Sequence, residues 1–130
     1  PSPAGVVRRT HYAMPAARPV WANTKIYLLT ARRTASAAEH LALSLKRTGR
    51  ATLVGEATRG ANHFGGLAEL PGGFGVFVPV GRTFDPDTGK DWEGSGVAPD
   101  VAVPAAEALG KALALAGVDP AKVRSLPGAR

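Results

Sequence analysis

Few side chains in this sequence could do covalent chemistry, and they cluster in three short segments. The first is Thr34-Ala35-Ser36-Ala37-Ala38-Glu39, between a compact apolar run and a helical pattern. A serine at a strand-to-helix turn stands beside backbone N–H groups that favour negative charge. That environment suits a nucleophile whose attack creates an oxyanion. The same residues have a second reading. Ser36 and Glu39 show the S-x-x-E spacing of a capping box, which needs no catalysis.

The second segment is the glycine-rich stretch Arg59-Gly60-Ala61-Asn62-His63, which places His63 in a loop. Loops carry function more often than strands do. The other histidines are His11, in a proline-rich segment and read as solvated, and His40, four residues after Ser36 and able to share its helix face. Each histidine also has a plain surface reading. No two histidines stand at a zinc-type spacing, so no metal and no cofactor is expected. The third segment is Trp92-Glu93-Gly94-Ser95-Gly96-Val97-Ala98-Pro99-Asp100. A tryptophan and a carboxylate flanked by glycines suggest a packed, positioned Glu93. The acidic run Asp85, Asp87, Asp91 departs from a calcium loop, with Pro86 inside it, and reads as a turn over 85–89.

The elements that must hold these segments follow from periodicity. Thr24 to Thr30 is an apolar run of strand formers and predicts a buried strand. Ala38, Leu41, Ala42 and Leu45 form the stripe of an amphipathic helix over Ala35 to Thr48, and Gly49 follows as its stop. Ala51 to Gly55 predicts a second strand. Together they make a βαβ unit with parallel strands. Residues 56–66 predict a loop. Leu67 to Leu70, Pro71-Gly72-Gly73 and Phe74 to Val80 predict a half-buried β-hairpin. Pro104 opens a helix running to about Ala116, and Asp119-Pro120 opens a last short one.

Length and composition bound the rest. A chain of 130 residues is one average domain, and 45% hydrophobic with 20% charged residues is a globular composition. Residues 1–23 contain Pro1, Pro3, Pro15 and Pro19 and read as an extended arm or linker, with a short strand possible only over Val6 to Tyr12. Residues 24–130 are the domain proper. No apolar run reaches ~18 residues, so no membrane span is expected. No signal peptide is visible, and a start at Pro1 marks a processed product or a fragment. With no cysteine there are no disulfides, thiolate metal sites or cysteine nucleophile. The net charge of +6 raises nucleic acid as a partner. The arginines are scattered in ones and twos, and with 6% aromatic residues there is no base-stacking platform, so no nucleic-acid partner is expected.

Together these segments resemble the C-terminal processing (tail-specific) family of serine peptidases. The likeness is carried by IYLLTARRTASAAEHLALSLKRTGRATLVGEATRGANHFGG and FVPVGRTFDPDTGKDWEGSGVAPDVAV, and covers roughly residues 19–115. It implies an α/β fold, the ββα superhelix of the crotonase and Clp-protease kind. This chain would be the C-terminal half of the peptidase domain, with the N-terminal half missing. The resemblance makes Ser36 the nucleophile and the Ala37 N–H one oxyanion donor. The tail-specific branch has a lysine base 25 residues after the nucleophile, where this chain has Ala61. The branch of interphotoreceptor retinoid-binding protein and the tricorn protease core resembles it more closely. Thr58 to His63 matches that branch's TGGGAH-like loop and Trp92 to Asp100 its WEGxGVxPD stretch. Glu93 then corresponds to the glutamate that supports a histidine base; in the tricorn core that histidine stands on an earlier segment, which residues 1–130 do not include, and His63 is the candidate among this chain's own histidines. The family's DLRxNxGG-like oxyanion segment does not occur in residues 1–130.

Two functions follow from the resemblance: a serine endopeptidase acting on peptides or proteins, incomplete by itself, or a non-catalytic module for apolar ligands. A cell-envelope or secreted location is suspected on the same ground. A peptidase half without its preceding strands exposes a sheet edge, so a homo-oligomer or swapped dimer is expected.

Overall fold

The computed structural model describes Gly5, residues 7–10, Tyr12, Met14 and residues 21–119. Five strands, two α-helices and one 3₁₀ turn follow in the order β1 (Tyr27–Thr30), α1 (Ala37–Arg47), β2 (Thr52–Gly55), β3 (His63–Leu70), β4 (Phe74–Arg82), β5 (Val101–Ala102), the 3₁₀ turn (Ala105–Glu107) and α2 (Ala108–Ala116). They form two sheets. One is three-stranded and parallel, in the order β1-β2-β5, and the other is the antiparallel hairpin β3-β4.

The expected βαβ unit is present, with Tyr27 to Thr30 in register with Thr52 to Gly55. Its elements are each shorter at their ends than the apolar patterns suggested. Central β2 is buried on both faces because its neighbours alternate. Leu53 points into a cluster with Ala42 of α1, Trp92 and Val97. Val54 points into another with Ala108 and Ala112 of α2. The sheet therefore has a helix on each side, and both helices meet it through alanines, which permit close approach. Burying Leu53 completely contributes roughly 2–3 kcal/mol. Helix α2 ends at Gly117, whose φ of 70° is the left-handed cap that a glycine adopts without strain. Tyr27 ties the same end down by donating its hydroxyl to the Leu115 carbonyl at 3.0 Å.

Two expectations are corrected. The loop read over 56–66 ends early, because β3 starts at His63. The Gly65-Gly66 pair reads as loop, yet Gly65 is in the ladder because its partner strand passes too close for a side chain: a Cβ there would lie 2.1 Å from the Val78 carbonyl oxygen. The hairpin is exposed from His63 to Val80, not half-buried. The two-residue strand β5, which pairs with Val54 and Gly55, was not foreseen, being too short for any period to register. The turn over 85–89 is as expected, with Asp85 Oδ1 accepting from the Asp87 and Thr88 N–H groups at 2.8 and 3.3 Å. The strand considered over Val6 to Tyr12 lies partly outside the described residues, and 7–10 form none. The helix opening at Asp119-Pro120 also lies outside them. Among the described residues no helix is long and apolar enough to cross a membrane.

Two glycines test this packing from opposite sides. Gly55 has φ 136°, and a Cβ on it would lie 2.0 Å from the Thr30 carbonyl oxygen, whereas nothing lies within 4 Å of a Cβ on Gly110 in α2. Gly110→Ala should raise stability in urea denaturation by about 0.5–1 kcal/mol. Gly55→Ala should lower it by at least ~2 kcal/mol, since the β1–β2 pair must separate.

Candidate active site

The site is assembled at the carboxyl end of β1 and β2, where three loops meet. Ser36 is the only described non-glycine residue with positive φ, at φ 54° and ψ −121°. An L-residue held there costs on the order of 1–3 kcal/mol and persists only when its surroundings over-determine it. They do so here. Thr34 Oγ1 accepts from the Ala31 N–H at 3.0 Å, and the Thr34 carbonyl accepts from Arg59 N–H at 2.9 Å. On the other side, the Ser36 N–H donates to Glu39 Oε2 at 2.8 Å, the glutamate half of the capping box. Ser36 itself remains exposed at the mouth of the turn. Among the described residues no acceptor takes the Ala37 N–H, which opens α1. It is one of the orphan donors of a helix start.

Glu39 is completely buried. Its Oε1 accepts from the Thr58 hydroxyl at 2.5 Å and the Gly60 N–H at 2.6 Å, and its Oε2 from the Ala61 N–H at 2.8 Å as well as from Ser36. Burial alone would raise its pKa, but the donors of Thr58, Gly60, Ala61 and Ser36 outweigh burial and hold it below the usual carboxylate value. Because Ser36 and Ala61 share one oxygen, their nitrogens are within about 5.6 Å, the sum of the two bonds.

The third loop is joined to the second. The Thr58 hydroxyl accepts from Val97 N–H at 2.7 Å, and Gly94 N–H donates to the Gly60 carbonyl at 2.9 Å. Gly60 and Gly96 stand where this contact tolerates no side chain: a Cβ on Gly96 would meet the Thr58 carbonyl oxygen at 2.2 Å. Glu93 Oε2 accepts from the N–H groups of Asn62 at 2.6 Å and His63 at 3.1 Å, and lies 2.9 Å from His63 Nδ1. The Asn62 N–H and the His63 ring lower the Glu93 pKa. Asn62 Oδ1 accepts from Thr83 N–H at 3.2 Å, while its buried Nδ2 and the Trp92 Nε1 have no protein partner.

Comparison with known proteins places the chain in a family. The model for peptidase family S41 matches residues 5–103. The chain belongs to peptidase family S41. A carboxyl-terminal-processing protease of Picosynechococcus sp. is 40% identical over 82 residues, which is 63% of this chain and 20% of that protein. Among solved structures, a photosystem II D1 C-terminal processing protease is 38% identical, with a TM-score of 0.54 over 64% of this chain and 21% of that one. Mature CPAF complexed with lactacystin, at 24% identity and a TM-score of 0.57 over 71% of this chain and 18% of that one, shares the fold. This chain thus spans about a fifth of the length of these relatives. Over the matched part they share the mixed α/β architecture described above.

Within the S41 chain the residues singled out from sequence separate into two groups. His63 and Glu93 are in contact, and Ser36 and Ala37 stand together at the start of α1. The two groups meet through the 58–63 loop that Glu39 anchors. Among the described residues no hydrogen bond joins the Ser36 hydroxyl to a histidine. His40 instead stacks on Trp92, ring centres 6.0 Å apart and 16° from coplanar. His11 lies outside the described residues. Sequence reasoning assigned Glu39 to a cap and passed over Thr58. The S-x-x-E spacing marked the first, but neither residue's burial can be read from spacing.

Two substitutions probe this construction. Glu39→Gln keeps two acceptor contacts at most and sets an NH₂ against two N–H donors, so it should destabilise by about 2–4 kcal/mol in urea. Because the folded pKa of Glu39 lies below its unfolded value, the unfolded chain binds the extra proton. The stabilisation is therefore complete above ~4.3, the ordinary glutamate value, and is lost as pH falls through the depressed folded value. The variant should lack that acid-limb loss in urea midpoints measured from pH 6 to 3. Ser36→Gly should be more stable than the parent by about 1 kcal/mol, because glycine adopts φ 54° freely, while Ser36→Ala should show no such gain.

Proposed function

We propose that this chain carries the nucleophile of a serine peptidase and that the nucleophile is Ser36. The observation that carries the reading is the strained backbone of an exposed serine at a strand-to-helix turn, held by a buried network. Strain of this kind concentrates at active sites, and a serine on such an elbow presents its hydroxyl above the sheet. The family and its protease relatives support peptide-bond hydrolysis over the binding of an apolar ligand.

In this reading the Ser36 oxygen attacks a peptide carbonyl carbon, and the resulting oxyanion accepts from the Ala37 N–H. The serine proton passes to a histidine and then to the leaving amine, and water hydrolyses the acyl-serine by the same steps in reverse. His63 is the candidate base. Glu93 at its Nδ1 fixes the ring and leaves Nε2 to take the proton. The serine and this ring must close on a bound peptide, since hydrogen bonds of this kind tighten only in the reacting complex. The carboxylates of Glu39 and Glu93 have separate parts, the first positioning backbone and the second orienting the base.

The substrate is a peptide or protein, and the chain supplies one part of the peptidase machinery. Position 61, adjacent to Ser36 through the shared Glu39 oxygen, holds an alanine where the tail-specific branch has its lysine. Turnover by this chain alone should accordingly be very slow, as the lack of one oxyanion donor typically costs ~10²–10³ in rate.

Active-site labelling decides the matter without requiring turnover. A fluorophosphonate should label Ser36, located by peptide mass mapping, and Ser36→Ala should abolish labelling. His63→Ala and Glu93→Gln should each slow it, His63→Ala by ~10²-fold or more. Labelling spread over other serines would remove Ser36 from its role, and unchanged rates in both variants would remove His63 and Glu93 from theirs.

A further inference from the structure

The fold gathers cations that the sequence scatters. Residues 31–34 form a tight turn at the carboxyl end of β1. The Thr34 N–H donates to the Ala31 carbonyl at 2.8 Å and the Ala31 N–H to Thr34 Oγ1 at 3.0 Å. The two central residues of this turn are Arg32 and Arg33, and both are exposed. Arg59 joins them from the second loop, because its N–H donates to the Thr34 carbonyl at 2.9 Å. It is exposed as well. Arg33 is three residues before Ser36, so their Cα atoms lie within roughly 11 Å.

Elsewhere in the molecule arginine side chains are engaged. Arg47 bonds Asp85 and Asp87, Arg82 pairs with Asp91, Arg50 donates to the Trp21 and Thr24 carbonyls, and Arg8 lies over the Phe84 ring. No hydrogen bond, ion pair or ring contact engages the guanidinium of Arg32, Arg33 or Arg59 among the described residues. Of the other described arginines only Arg9, in the segment 7–10, shares that state. The carboxylates around the site are spent on other donors. Glu39 is sealed beneath the elbow, Glu56 Oε2 accepts from the Arg32 backbone N–H at 3.1 Å, and Glu93 is held by Asn62 and His63. Three guanidinium forks therefore stand beside Ser36 with no acceptor of their own.

We propose that Arg32, Arg33 and Arg59 bind acidic side chains of the peptide substrate, within about three residues of the bond that Ser36 attacks. An extended peptide advances ~3.3 Å per residue, so three residues cover the roughly 11 Å between the serine and the turn. A guanidinium takes a carboxylate through two parallel hydrogen bonds, a geometry that an ammonium lacks. The turn is already fixed by its backbone bonds, so binding orders side chains only. Exposed pairs of this kind contribute up to about fivefold each in affinity, and three together exceed tenfold. The position favours a peptide over a nucleic acid, since the cations flank the elbow of a peptidase-family chain and form no stripe along a helix or sheet face. Calling the ligand a substrate rests on the reading of Ser36 as the nucleophile; the binding itself does not.

Fluorescence anisotropy with the full chain tests the binding without requiring a reactive serine. One probe is a fluorescein-labelled peptide of 12 alternating Glu and Ala residues with an amidated C-terminus. The others are its counterpart with Gln for Glu, and that Gln peptide with a free terminal carboxylate. The Glu peptide should bind at least tenfold more tightly than either at 20 mM salt, and the advantage should fall below threefold at 500 mM. Arg32→Gln, Arg33→Gln and Arg59→Gln combined should abolish the advantage. Lys25→Gln, Lys90→Gln and Lys111→Gln combined remove the same net charge from other exposed positions and should change it less than threefold. Far-UV spectra confirm folding of both variants. Equal binding of the Glu and Gln peptides, or equal loss in the two variants, would overturn the proposal. So would a free terminal carboxylate that matches the Glu peptide, or a 12-nucleotide single strand that binds more tightly through the same arginines. The two readings fail separately. A chain whose Ser36 resists the fluorophosphonate loses the peptidase role, whereas one that labels but shows no preference for Glu loses only this inference.

Discussion

A single buried carboxylate holds the candidate site of this molecule together. Glu39 lies on the first turn of α1 with no solvent access, and its two oxygens take four hydrogen bonds from two stretches of chain, Ser36 and residues 58–61. An ionised carboxylate in such a place is tolerable only when its lone pairs are filled. The Glu39 donors do more than fill them, since three are backbone N–H groups whose positions define loops. Through them the charge fixes the strained Ser36 and lays residues 58–61 alongside it. Thr58 relays the constraint to Val97 and so to the segment bearing Trp92 and Glu93. Remove the carboxylate, and the elbow, the histidine loop and the glutamate loop lose their common reference.

The glycines of these loops follow from that arrangement. Gly60, Gly94 and Gly96 allow two backbones to touch, with the Gly60 and Gly96 positions each barred to a Cβ by the other loop. The charges around them are secondary. Lys46 meets Asp100 at 2.9 Å, Arg47 meets Asp85 at 3.2 Å, and Arg82 pairs with Asp91, but all are open to solvent. Pairs of this kind contribute only ~0–1 kcal/mol. The Lys46 pair has a structural companion, because Asp100 also accepts from Leu53 N–H at 2.8 Å and so aligns the segment before β5 with β2.

The parts of this structure that were legible in the sequence are those governed by local period. The apolar run of β1, the stripe of α1 and the brevity of β2 all announce themselves, because burial against a helix or sheet repeats at 3.6 or 2 residues. The family resemblance added roles for Ser36, Ala37 and Glu93, the loop reading singled out His63, and the fold brings His63 to Glu93. What stayed illegible was nonlocal. The strain at Ser36 has no sequence mark, since serine is not the residue such a φ selects. Burial of Glu39 depends on residues 58–61 arriving from across the sheet. The alternation in β4 correctly signalled a strand, yet alternation records only that some surface should cover a face, not that the covering surface belongs to the same chain.

The contrast between body and hairpin completes the argument. In the body, apolar side chains find partners within the chain: Leu53 and Val54 are wholly buried on opposite sides of one sheet. In the hairpin, residues of equal hydrophobicity stay open from Phe64 to Val80. The two parts are nevertheless continuous, because β3 begins at His63, whose N–H and ring both meet Glu93, and the next residue after β4, Thr83, is held by Asn62. The root of the hairpin is thus the candidate site itself. Whatever covers the hairpin is levered against the loop that carries His63 and, one step further, against the Glu39 carboxylate that holds Ser36. The exposed hairpin and the candidate site thus share one loop, residues 58–63, which the Glu39 carboxylate anchors.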